Sequence, residues 1–318
     1  MSIHRPSDET RINIALCADK NMEPGVHVTL YTALKYSFSI FKIYFFYKGY
    51  HPSDIAALHS TLRPFSGRYE LCPRPFSDEM FFGTAGLRGN RMPFFKILLG
   101  DVIQEQRVLF LDSDLVIKAD LAELYDLNLK GCILGTPGTT LAKYSGEYAF
   151  LKSLGFQEED LWFNSGVMLI DLALWRLANL TSKNLKFYKK YSDRLYTADQ
   201  TVLNCVLRGK FIPLNPKFNI AVWPSEQTLD PKSTDCVFHF LGVPKPWDSL
   251  GKLLHRNFKL FQSFLDETSY ANRYFYRFRP ARLMLPLRCY RVYLKLTKEK
   301  ILGYGVNPRD KKQKTEVS

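Results

Sequence analysis

Residues Arg107–Leu115 read Arg-Val-Leu-Phe-Leu-Asp-Ser-Asp-Leu and indicate where the centre of the fold lies. Val108–Leu111 is a short run of apolar strand formers, which is typical of a strand buried on both faces of a sheet. Two carboxylates, Asp112 and Asp114, follow at a spacing of two residues. Because alternate side chains of an extended backbone point the same way, both carboxylates are predicted to face one side at the carboxyl end of this strand.

The carboxyl ends of parallel strands are where open α/β sheets bind ligands. Two hard oxygen donors there can hold Mg²⁺ or Mn²⁺, and such an ion can bind a diphosphate. The alternative is a solvated loop after a core strand, since an Asp-x-Asp pattern is weak evidence on its own. Other segments of the chain are needed to choose between a metal site and a plain loop.

Apolar strands alternate with helical patterns in the first third of the chain. Ile12–Ala18, Ile43–Tyr47 and Tyr69–Cys72 are predicted strands, and helices are predicted over Pro24–Tyr36 and Met92–Val102. This alternation predicts a parallel sheet covered by helices, so the fold class is α/β. The first strand is followed neither by Gly-x-Gly-x-x-Gly nor by a Walker loop, which disfavours a dinucleotide oxidoreductase and a P-loop kinase.

Two polar motifs follow in the middle of the chain. Phe163–Val167, Phe-Asn-Ser-Gly-Val, is a polar turn that leads into a buried strand, and it is either a simple turn or a ligand contact. Asp199 and Gln200 begin an apolar helix, for which Thr197 is the predicted N-cap. An acid in the first turn of a helix is also stabilised by the helix dipole, so Asp199 has a structural explanation without any function.

A histidine lies inside the last apolar strand, Cys236–Leu241. An isolated histidine in such a strand is more often a hydrogen-bonded core residue than a ligand. Here His239 is followed by Gly242 and Lys245. Glycine lets the backbone approach a phosphate closely, and lysine supplies a cation for phosphate oxygens. The segment therefore has the composition of a phosphate-binding loop.

The composition is that of a soluble globular protein whose charge is concentrated at its carboxyl end. The 318 residues are 46% hydrophobic and 24% charged, which suffices for one large domain or two ordinary ones. The net charge is +13, and residues 270–318 carry most of it, with thirteen Lys and Arg against three Asp and Glu. No segment has the roughly 18 apolar residues of a membrane span, and Met1–Thr10 lacks the apolar centre of a signal peptide. The six cysteines show no C-x-x-C spacing and are expected to be reduced.

Together these motifs resemble glycosyltransferase family 8, the retaining nucleotide-sugar transferases that include bacterial lipopolysaccharide galactosyl- and glucosyltransferases and glycogenin. The resemblance covers roughly Ile12–Trp247 and rests on the order of five segments: Ala18-Asp19-x-Asn21, Leu109–Asp114, Phe163–Val167, Asp199-Gln200 and His239–Trp247. It implies an α/β fold of GT-A type, a single Rossmann-like nucleotide-sugar-binding domain with a mixed, mainly parallel sheet, over residues 1–250. Residues 251–318 are expected to form a small helical, basic extension.

The resemblance also implies roles for individual residues. The implied metal ligands are Asp112, Asp114 and His239. The implied nucleotide and diphosphate contacts are Ala18, Asp19, Asn21, Met22, Ser113, Gly242 and Lys245. The implied donor-sugar contacts are Lys96, Asn164, Asp199 and Gln200. Lys96 stands where family members often carry an arginine, and lysine keeps the charge but lacks the bidentate fork. Gly135–Tyr144, where an acid that contacts the acceptor could be sought, has no carboxylate, so the acceptor does not follow from the resemblance.

The chemistry implied is transfer of galactose or glucose from a UDP-sugar to a hydroxyl, with retention at the anomeric carbon. Mn²⁺ or Mg²⁺ would neutralise charge on the departing diphosphate, with Lys245 as a second cation. Two mechanisms stay open: double displacement through Asp199, by analogy with retaining glycosidases, and same-face attack. We favour same-face attack because the Gln200 amide is a poor nucleophile. Alternatives are a glycogenin-like self-glucosylating enzyme and a catalytically silent protein that binds nucleotide sugars or nucleic acid.

From Tyr270 onward, arginines alternate with aromatic residues and leucine, a composition typical of segments at a membrane interface. Pro280 and Pro286 are expected to break this region into short pieces, and Lys298–Ser318 is expected to be disordered. We therefore expect a cytoplasmic enzyme that binds the anionic inner face of the inner membrane and acts on a lipid-linked glycan, such as a lipopolysaccharide or lipooligosaccharide core. Alternatives for this region are a basic helix packed on the core or a nucleic-acid patch, although no nucleic-acid partner is expected.

Overall fold

The computed structural model describes residues 11–77, 79–81, 90–230, 233–271 and 280–302. The strands within these ranges are β1 Arg11–Asp19, β2 Ile40–Lys48, β3 Tyr69–Pro75, β4 Arg107–Leu111, β5 Leu115–Ile117, β6 Leu134–Thr136, β7 Thr139–Leu141, β8 Leu161–Phe163, β9 Val167–Asp171, β10 Phe211–Pro213, β11 Ile220–Val222 and β12 Val237–Phe240.

The α-helices of the same part of the chain are α1 Glu23–Tyr36, α2 Pro52–Leu62, α3 Leu99–Val102, α4 Leu121–Tyr125, α5 Tyr148–Ser153, α6 Leu172–Leu177, α7 Leu180–Tyr191, α8 Asp199–Val206, α9 Gly251–Leu254, α10 Phe258–Asp266, α11 Pro280–Arg288 and α12 Tyr290–Ile301. Short 3₁₀ helices span Lys20–Met22, Arg63–Phe65, Glu79–Phe81, Met92–Leu98, Ala142–Tyr144 and Pro216–Phe218.

A seven-stranded sheet forms the centre of the described chain, in the order β10-β6-β9-β4-β1-β2-β3. Strands β1 to β4 run parallel to one another, as the alternation of strands and helices predicts. Strand β9 is antiparallel to both β4 and β6, and it makes the sheet mixed. The expected mixed, mainly parallel sheet is therefore confirmed, and β4 lies in the middle of it.

Strands β1, β2, β4 and β9 contribute apolar side chains to both faces of the sheet. In β4, Val108 and Phe110 belong to one core cluster, and Leu109 and Leu111 to another. The first cluster includes residues of α6, α7 and α8, and the second includes residues of α1, α2 and α4. Burial on both faces explains why β4 reads as an unbroken apolar run.

A second sheet, with the strand order β11-β12-β5, joins the last two strands of the described chain to β5, which follows the central strand β4. Its middle strand β12 is antiparallel to β5 and places His239 opposite Leu115. Since β5 follows β4 after only three residues, this pairing positions His239 beside the turn that carries Asp112 and Asp114. Asp112 and Asp114 precede His239 by more than 120 positions in the sequence, and all three meet at one edge of the central sheet.

The carboxyl-terminal helices pack on the body of the protein. Helix α10 contributes Phe261 and Phe264 to a core cluster that also contains Val28 of α1. One face of α12 is buried through Tyr293 and Leu296, which contact Leu254 of α9. The helical character expected of this extension is therefore confirmed, whereas its separation from the body at residue 250 stays a prediction.

Two details of this region differ from the sequence-based expectation. Pro286 lies inside α11 and does not end it, since the helix continues to Arg288, although α11 and α12 are two short helices as expected. Lys298–Ile301 continue α12, although they belong to the segment expected to be disordered. Residues 303–318, the rest of that segment, lie outside the described residues. No helix of the described ranges is long and apolar enough to cross a membrane.

Candidate active site

A cleft of about 300 Å³ opens where β1 and β4 end. Eleven of the fourteen site residues inferred from the sequence line it: Ala18, Asp19, Met22, Lys96, Asp112, Ser113, Asp114, Asn164, Asp199, Gln200 and His239. The other three lie directly beside the lining, since Asn21 precedes Met22, Gly242 follows Leu241, and Lys245 contacts Asp114. The structure thus brings all fourteen residues to one place.

Three of these side chains form a cluster that could hold a metal ion. Donor atoms of Asp112, Asp114 and His239 all lie within 4.8 Å of one another. His239 Nε2 is 3.1 Å from Asp114 Oδ1 and 3.6 Å from Asp112 Oδ2. Two carboxylates and an imidazole are a donor set that suits Mn²⁺.

The hydrogen-bond network around His239 fixes which of its nitrogens carries the proton. The backbone N–H of Gly166 donates to Asn164 Oδ1 at 3.0 Å, so Asn219, which lies 3.0 Å from the same oxygen, must turn its NH₂ group toward it. The carbonyl oxygen of Asn219 then faces His239 Nδ1 at 2.9 Å and accepts its proton. In the neutral imidazole, Nε2 therefore presents a lone pair toward Asp114.

Two hydrogen-bond acceptors, His239 Nε2 and Asp114 Oδ1, thus face each other at a distance of 3.1 Å. Asp114 Oδ1 is buried and has no hydrogen-bond partner in the described part of the chain. A buried carboxylate oxygen without a partner costs free energy unless a cation or a donor reaches it. A metal ion bound between Asp114 Oδ1 and His239 Nε2 would satisfy both lone pairs, and the residues present therefore fit such an ion.

Lys245 supplies a second positive charge at this cluster. Its ammonium lies 2.6 Å from Asp114 Oδ2 and also donates to the carbonyl of Phe240. Burial would raise the pKa of Asp114, but the charged neighbours of this carboxylate, Lys245 first among them, lower it to below its usual range. Asp114 is consequently ionised at neutral pH, as a metal ligand must be.

Lys96 is buried and links two carboxylates of the cleft. Its Nζ lies 2.9 Å from Asp112 Oδ1 and 3.1 Å from Asp199 Oδ2, and it donates to the carbonyl and hydroxyl of Ser165. Burial would lower the pKa of Lys96, but Asp112 and Asp199 raise it by more, so the lysine stays charged. Lys96 therefore acts as an internal counter-ion for these two carboxylates.

Asp199 and Gln200 begin α8 and point into the cleft. Asp199 Oδ2 accepts a hydrogen bond from the Ser165 hydroxyl at 2.7 Å. Gln200 Oε1 accepts from Asn164 Nδ2 at 3.1 Å and from the backbone N–H of Ser165 at 3.3 Å. Burial raises the pKa of Asp199, and the attraction of Lys96 offsets only part of that effect. Both side chains are thus held by the Asn164–Ser165 turn.

Thr197 is not the N-cap of α8, contrary to the expectation from its sequence. The cap position is Ala198, which has φ 56° and ψ −119° and provides no side-chain hydrogen bond. The Thr197 hydroxyl instead donates to Glu147, a residue 50 positions earlier. A long-range contact to a carboxylate has taken the place of local capping.

The opposite end of the cleft is formed by the loop after β1. Asp19 Oδ1 accepts from the backbone N–H of Asn21 at 2.8 Å, and Oδ2 accepts from Asn90 Nδ2 at 2.8 Å. The carbonyl of Asn21 accepts from the Trp247 indole at 3.2 Å. These bonds join the loop after β1 to the Lys245–Trp247 loop, so the two halves of the implied nucleotide site are physically connected.

Close packing of backbone holds the Asp-Ser-Asp turn against α1. A Cβ atom added to Gly25 would lie 2.0 Å from the Ser113 carbonyl oxygen and 2.8 Å from the Trp247 ring. Only glycine permits this approach of the helix to the turn. Gly242, which precedes the implied phosphate-binding lysine, has φ 75° and lies in the left-handed region that favours glycine.

Two residues of the site were not found from the sequence. Asn219 orients His239, and Asn90 contacts Asp19. Neither belongs to a motif, and each acts through a partner that is distant in the sequence. For Asn219 the only local sign was its position in a short edge segment near β11, which does not distinguish it from a turn residue.

Comparisons with known proteins identify the family of the chain. The profile of the family described as "Glycosyl transferase family 8" matches residues 13–251. General stress protein A of Bacillus subtilis is 26% identical over 268 residues, which cover 77% of this chain and 91% of that protein. Lipopolysaccharide 1,3-galactosyltransferase of Salmonella typhimurium is 28% identical over 170 residues, or 50% of this chain and 50% of that protein.

Solved structures show the same fold. The galactosyltransferase LgtC, in complex with donor and acceptor sugar analogues, superposes with a TM-score of 0.66 at 22% identity, over 81% of this chain and 96% of that one. The glycosyltransferase GlyE of Streptococcus pneumoniae gives a TM-score of 0.62 at 18% identity, over 80% of this chain and 60% of that one. With the family match over most of its length, the chain belongs to glycosyltransferase family 8 and is a glycosyltransferase with the GT-A type fold.

Proposed function

We propose that this glycosyltransferase moves a hexose, galactose or glucose, from a UDP-sugar to a hydroxyl of a glycan acceptor, with retention at the anomeric carbon. The observation that carries the proposal is the cluster beside Lys245 in which His239 Nε2 lies 3.1 Å from Asp114 Oδ1, an oxygen that has no hydrogen-bond partner among the described residues. The relation to a galactosyltransferase supports the hexose. The nucleotide-sugar donor and the glycan acceptor follow from the family.

The bound cation would be Mn²⁺ or Mg²⁺, held by Asp112, Asp114 and His239. When bound, it supplies positive charge that stabilises a departing diphosphate. Asn219 keeps the imidazole in the tautomer that can ligate, through its contact with Nδ1. The imidazole in this donor set favours Mn²⁺ over Mg²⁺, which prefers oxygen ligands.

The protein itself contributes two fixed cations with different tasks. Lys245 lies at the rim, bound to Asp114, and can turn one of its N–H donors to a diphosphate oxygen. Lys96 is buried between Asp112 and Asp199 and is fully occupied by carboxylate and Ser165 contacts. Lys96 therefore holds the cleft together, and Lys245 stabilises the leaving group.

Same-face attack fits the contacts of Asp199 better than double displacement. Its Oδ2 is engaged by Lys96 and by the Ser165 hydroxyl, and both interactions lower its nucleophilicity. In the proposed step the bond from the anomeric carbon to the diphosphate oxygen breaks, and a bond from that carbon to the acceptor oxygen forms on the same face. The acceptor proton passes to the leaving phosphate oxygen, so the chain itself supplies no base.

We propose that the acceptor is a lipid-linked glycan, such as a lipopolysaccharide or lipooligosaccharide core, reached from the cytoplasmic face of the inner membrane. The outer surface of the last two helices supports this placement. Leu287, Leu294 and Ile301 are 66%, 64% and 76% exposed, and basic residues lie among them. Exposed leucine beside lysine and arginine is the composition of a segment that binds anionic lipid.

Turnover of the donor tests the transfer directly. We expect release of UDP from UDP-galactose or UDP-glucose in the presence of Mn²⁺, with water as acceptor when no glycan is added, and no release with chelator. Proton NMR of the product should show the α configuration of the donor, and intact mass of the protein should stay constant. A gain of 162 Da per transferred hexose, which is the mass of a hexosyl unit, would instead support the self-glycosylating alternative.

The chemical role of Asp199 and the membrane contact have separate tests. Asp199→Asn should keep a measurable part of the wild-type turnover, whereas a nucleophile would lose all of it. In co-sedimentation, the protein should bind vesicles that contain phosphatidylglycerol, and added salt should release it. Equal binding to neutral phosphatidylcholine vesicles would contradict the electrostatic account.

A further inference from the structure

Glu147 is a buried carboxylate just outside the cleft. It is 5% exposed and precedes helix α5. Its oxygens accept from the Thr197 hydroxyl at 2.5 Å and from the Thr201 hydroxyl at 2.8 and 2.9 Å. No cation lies within ion-pair distance of it among the described residues. A buried acid without a cationic partner is costly, so its presence calls for an explanation.

The hydroxyls that Glu147 binds flank a strained residue. Ala198 lies between Thr197 and the first turn of α8, with φ 56° and ψ −119°. Such a backbone conformation in a residue other than glycine costs of the order of 1–3 kcal/mol and persists only where the surroundings enforce it. Thr197 precedes Ala198, and Thr201 is in the first turn that follows it, so Glu147 ties together both sides of the strained position.

The strained turn decides where two cleft residues point. Asp199 and Gln200 come directly after Ala198, and their side chains reach Ser165 and Asn164 in the cleft. If Ala198 relaxed to an ordinary conformation, the direction of the chain at the start of α8 would change, and both side chains would leave these partners. Glu147, which binds the hydroxyls on both sides of Ala198, does not itself line the cleft.

We propose that Glu147 is a positioning residue for sugar transfer, which holds the Thr197–Thr201 turn so that Asp199 and Gln200 face the donor. This inference rests on the proposed function for its effect on turnover, whereas the effect on the turn itself does not depend on it. Burial raises the pKa of Glu147, and the donors of Thr197 and Thr201 offset only part of that effect. Burial of the Glu147 carboxylate costs free energy, and its location next to the strained Ala198 supports a role in holding the turn.

Glu147→Gln tests the inference because it keeps the size of the side chain but removes one acceptor oxygen. The matched control is Leu151→Val, which trims a fully buried residue of the neighbouring apolar cluster and leaves Glu147 in place. We expect Glu147→Gln to lower kcat for UDP release about tenfold or more, since misplacement by about 1 Å can cost a hundredfold in rate. The Kd for UDP should change less than twofold, because UDP lacks the sugar that Gln200 is expected to contact. Leu151→Val should keep kcat near the wild-type value even if its Tm falls.

Hydrogen exchange gives a readout that does not require activity. In Glu147→Gln, peptides that cover residues 195–204 should exchange faster, while peptides of β1 and β4 should be unchanged. Unchanged exchange in this segment, or a kcat within twofold of wild type, would overturn the inference. An equal loss of kcat in Leu151→Val would also overturn it, since the effect would then follow from stability alone. If wild-type protein turns over neither UDP-sugar, the proposed function fails, and the exchange result still tests the turn.

Discussion

The replacement Gly166→Ala should disable the metal site although it replaces none of the three metal ligands. A Cβ atom at this position would lie 2.1 Å from His239 Cε1, 2.6 Å from Nδ1 and 2.9 Å from Asn164 Oδ1. The backbone of Gly166 cannot easily retreat, because its N–H donates to Asn164 and its carbonyl accepts from the N–H of Asp112 at 2.7 Å. The imidazole of His239 must therefore move.

The size of the effect follows from the distances. Carbon atoms in contact prefer a separation of about 3.5 Å, so the ring has to shift by more than about 1 Å. Metal ligands tolerate deviations of only about 0.2 Å, and His239 would be lost from the coordination shell. Disturbing even an outer partner of a ligand costs about 10–100-fold in metal affinity, so we expect at least that loss, or about 1.4–2.8 kcal/mol. Overpacking should lower the free energy of unfolding by a further 1–3 kcal/mol or so.

Titration of Mn²⁺ into protein, followed by electron paramagnetic resonance of the free ion, measures the affinity directly. The control is Gly146→Ala, because a Cβ there would lie 3.5 Å from the Tyr196 ring, an ordinary contact. That variant should bind Mn²⁺ as wild type does. If Gly166→Ala binds Mn²⁺ within about twofold of wild type, as a non-disruptive change would, then His239 is not a ligand and the assignment is wrong.

Three further predictions concern the surroundings of the cluster. Asn219→Ala should weaken Mn²⁺ binding about 10–100-fold in calorimetry, because His239 loses the partner that fixes its tautomer; an unchanged Kd would contradict this role. Lys96→Met should lower the free energy of unfolding by about 3–5 kcal/mol in urea titration, since it removes the cation between two carboxylates; a loss below 1 kcal/mol or so would show that the pairs are unimportant. Burial, with a smaller contribution from Lys245, lowers the pKa of His255 to about 3. Only the unfolded chain then binds this proton between about pH 3 and 6.5, so the wild type should lose about 2 kcal/mol of stability between pH 7.5 and 5, and His255→Gln should lose that much less.

The part of the fold that depends on local pattern could be predicted from the sequence. Strands β1, β2 and β4 read as apolar runs because they are buried on both faces, and their polar ends fall at one edge because parallel strands end together. The five motifs then met in one cleft because each lies at the carboxyl end of a strand or the start of a helix. A strand order with β9 antiparallel could not be read from the pattern, since it depends on pairing between distant segments.

Residues that act through distant partners could not be predicted. Asn219 and Glu147 look like ordinary polar residues in the sequence, and their importance comes only from contacts with His239 and Thr197. Thr197 itself was assigned a local role as an N-cap, and the tertiary hydrogen bond to Glu147 prevailed over it. The sequence signal for Lys96 was its replacement of an arginine, but its pairing with both Asp112 and Asp199 required the structure.

The most direct test of the account is calorimetric titration of UDP-galactose and UDP-glucose into the protein, with Mn²⁺ and with chelator. It should be done on wild type and on Asp114→Asn, which keeps the size of the side chain but removes its charge from the cluster. We predict binding of one of the two donors that requires Mn²⁺ and is lost in the variant. Equal binding with chelator, or in Asp114→Asn, would contradict the assignment of Asp112, Asp114 and His239 as the metal site on which the proposed transfer depends.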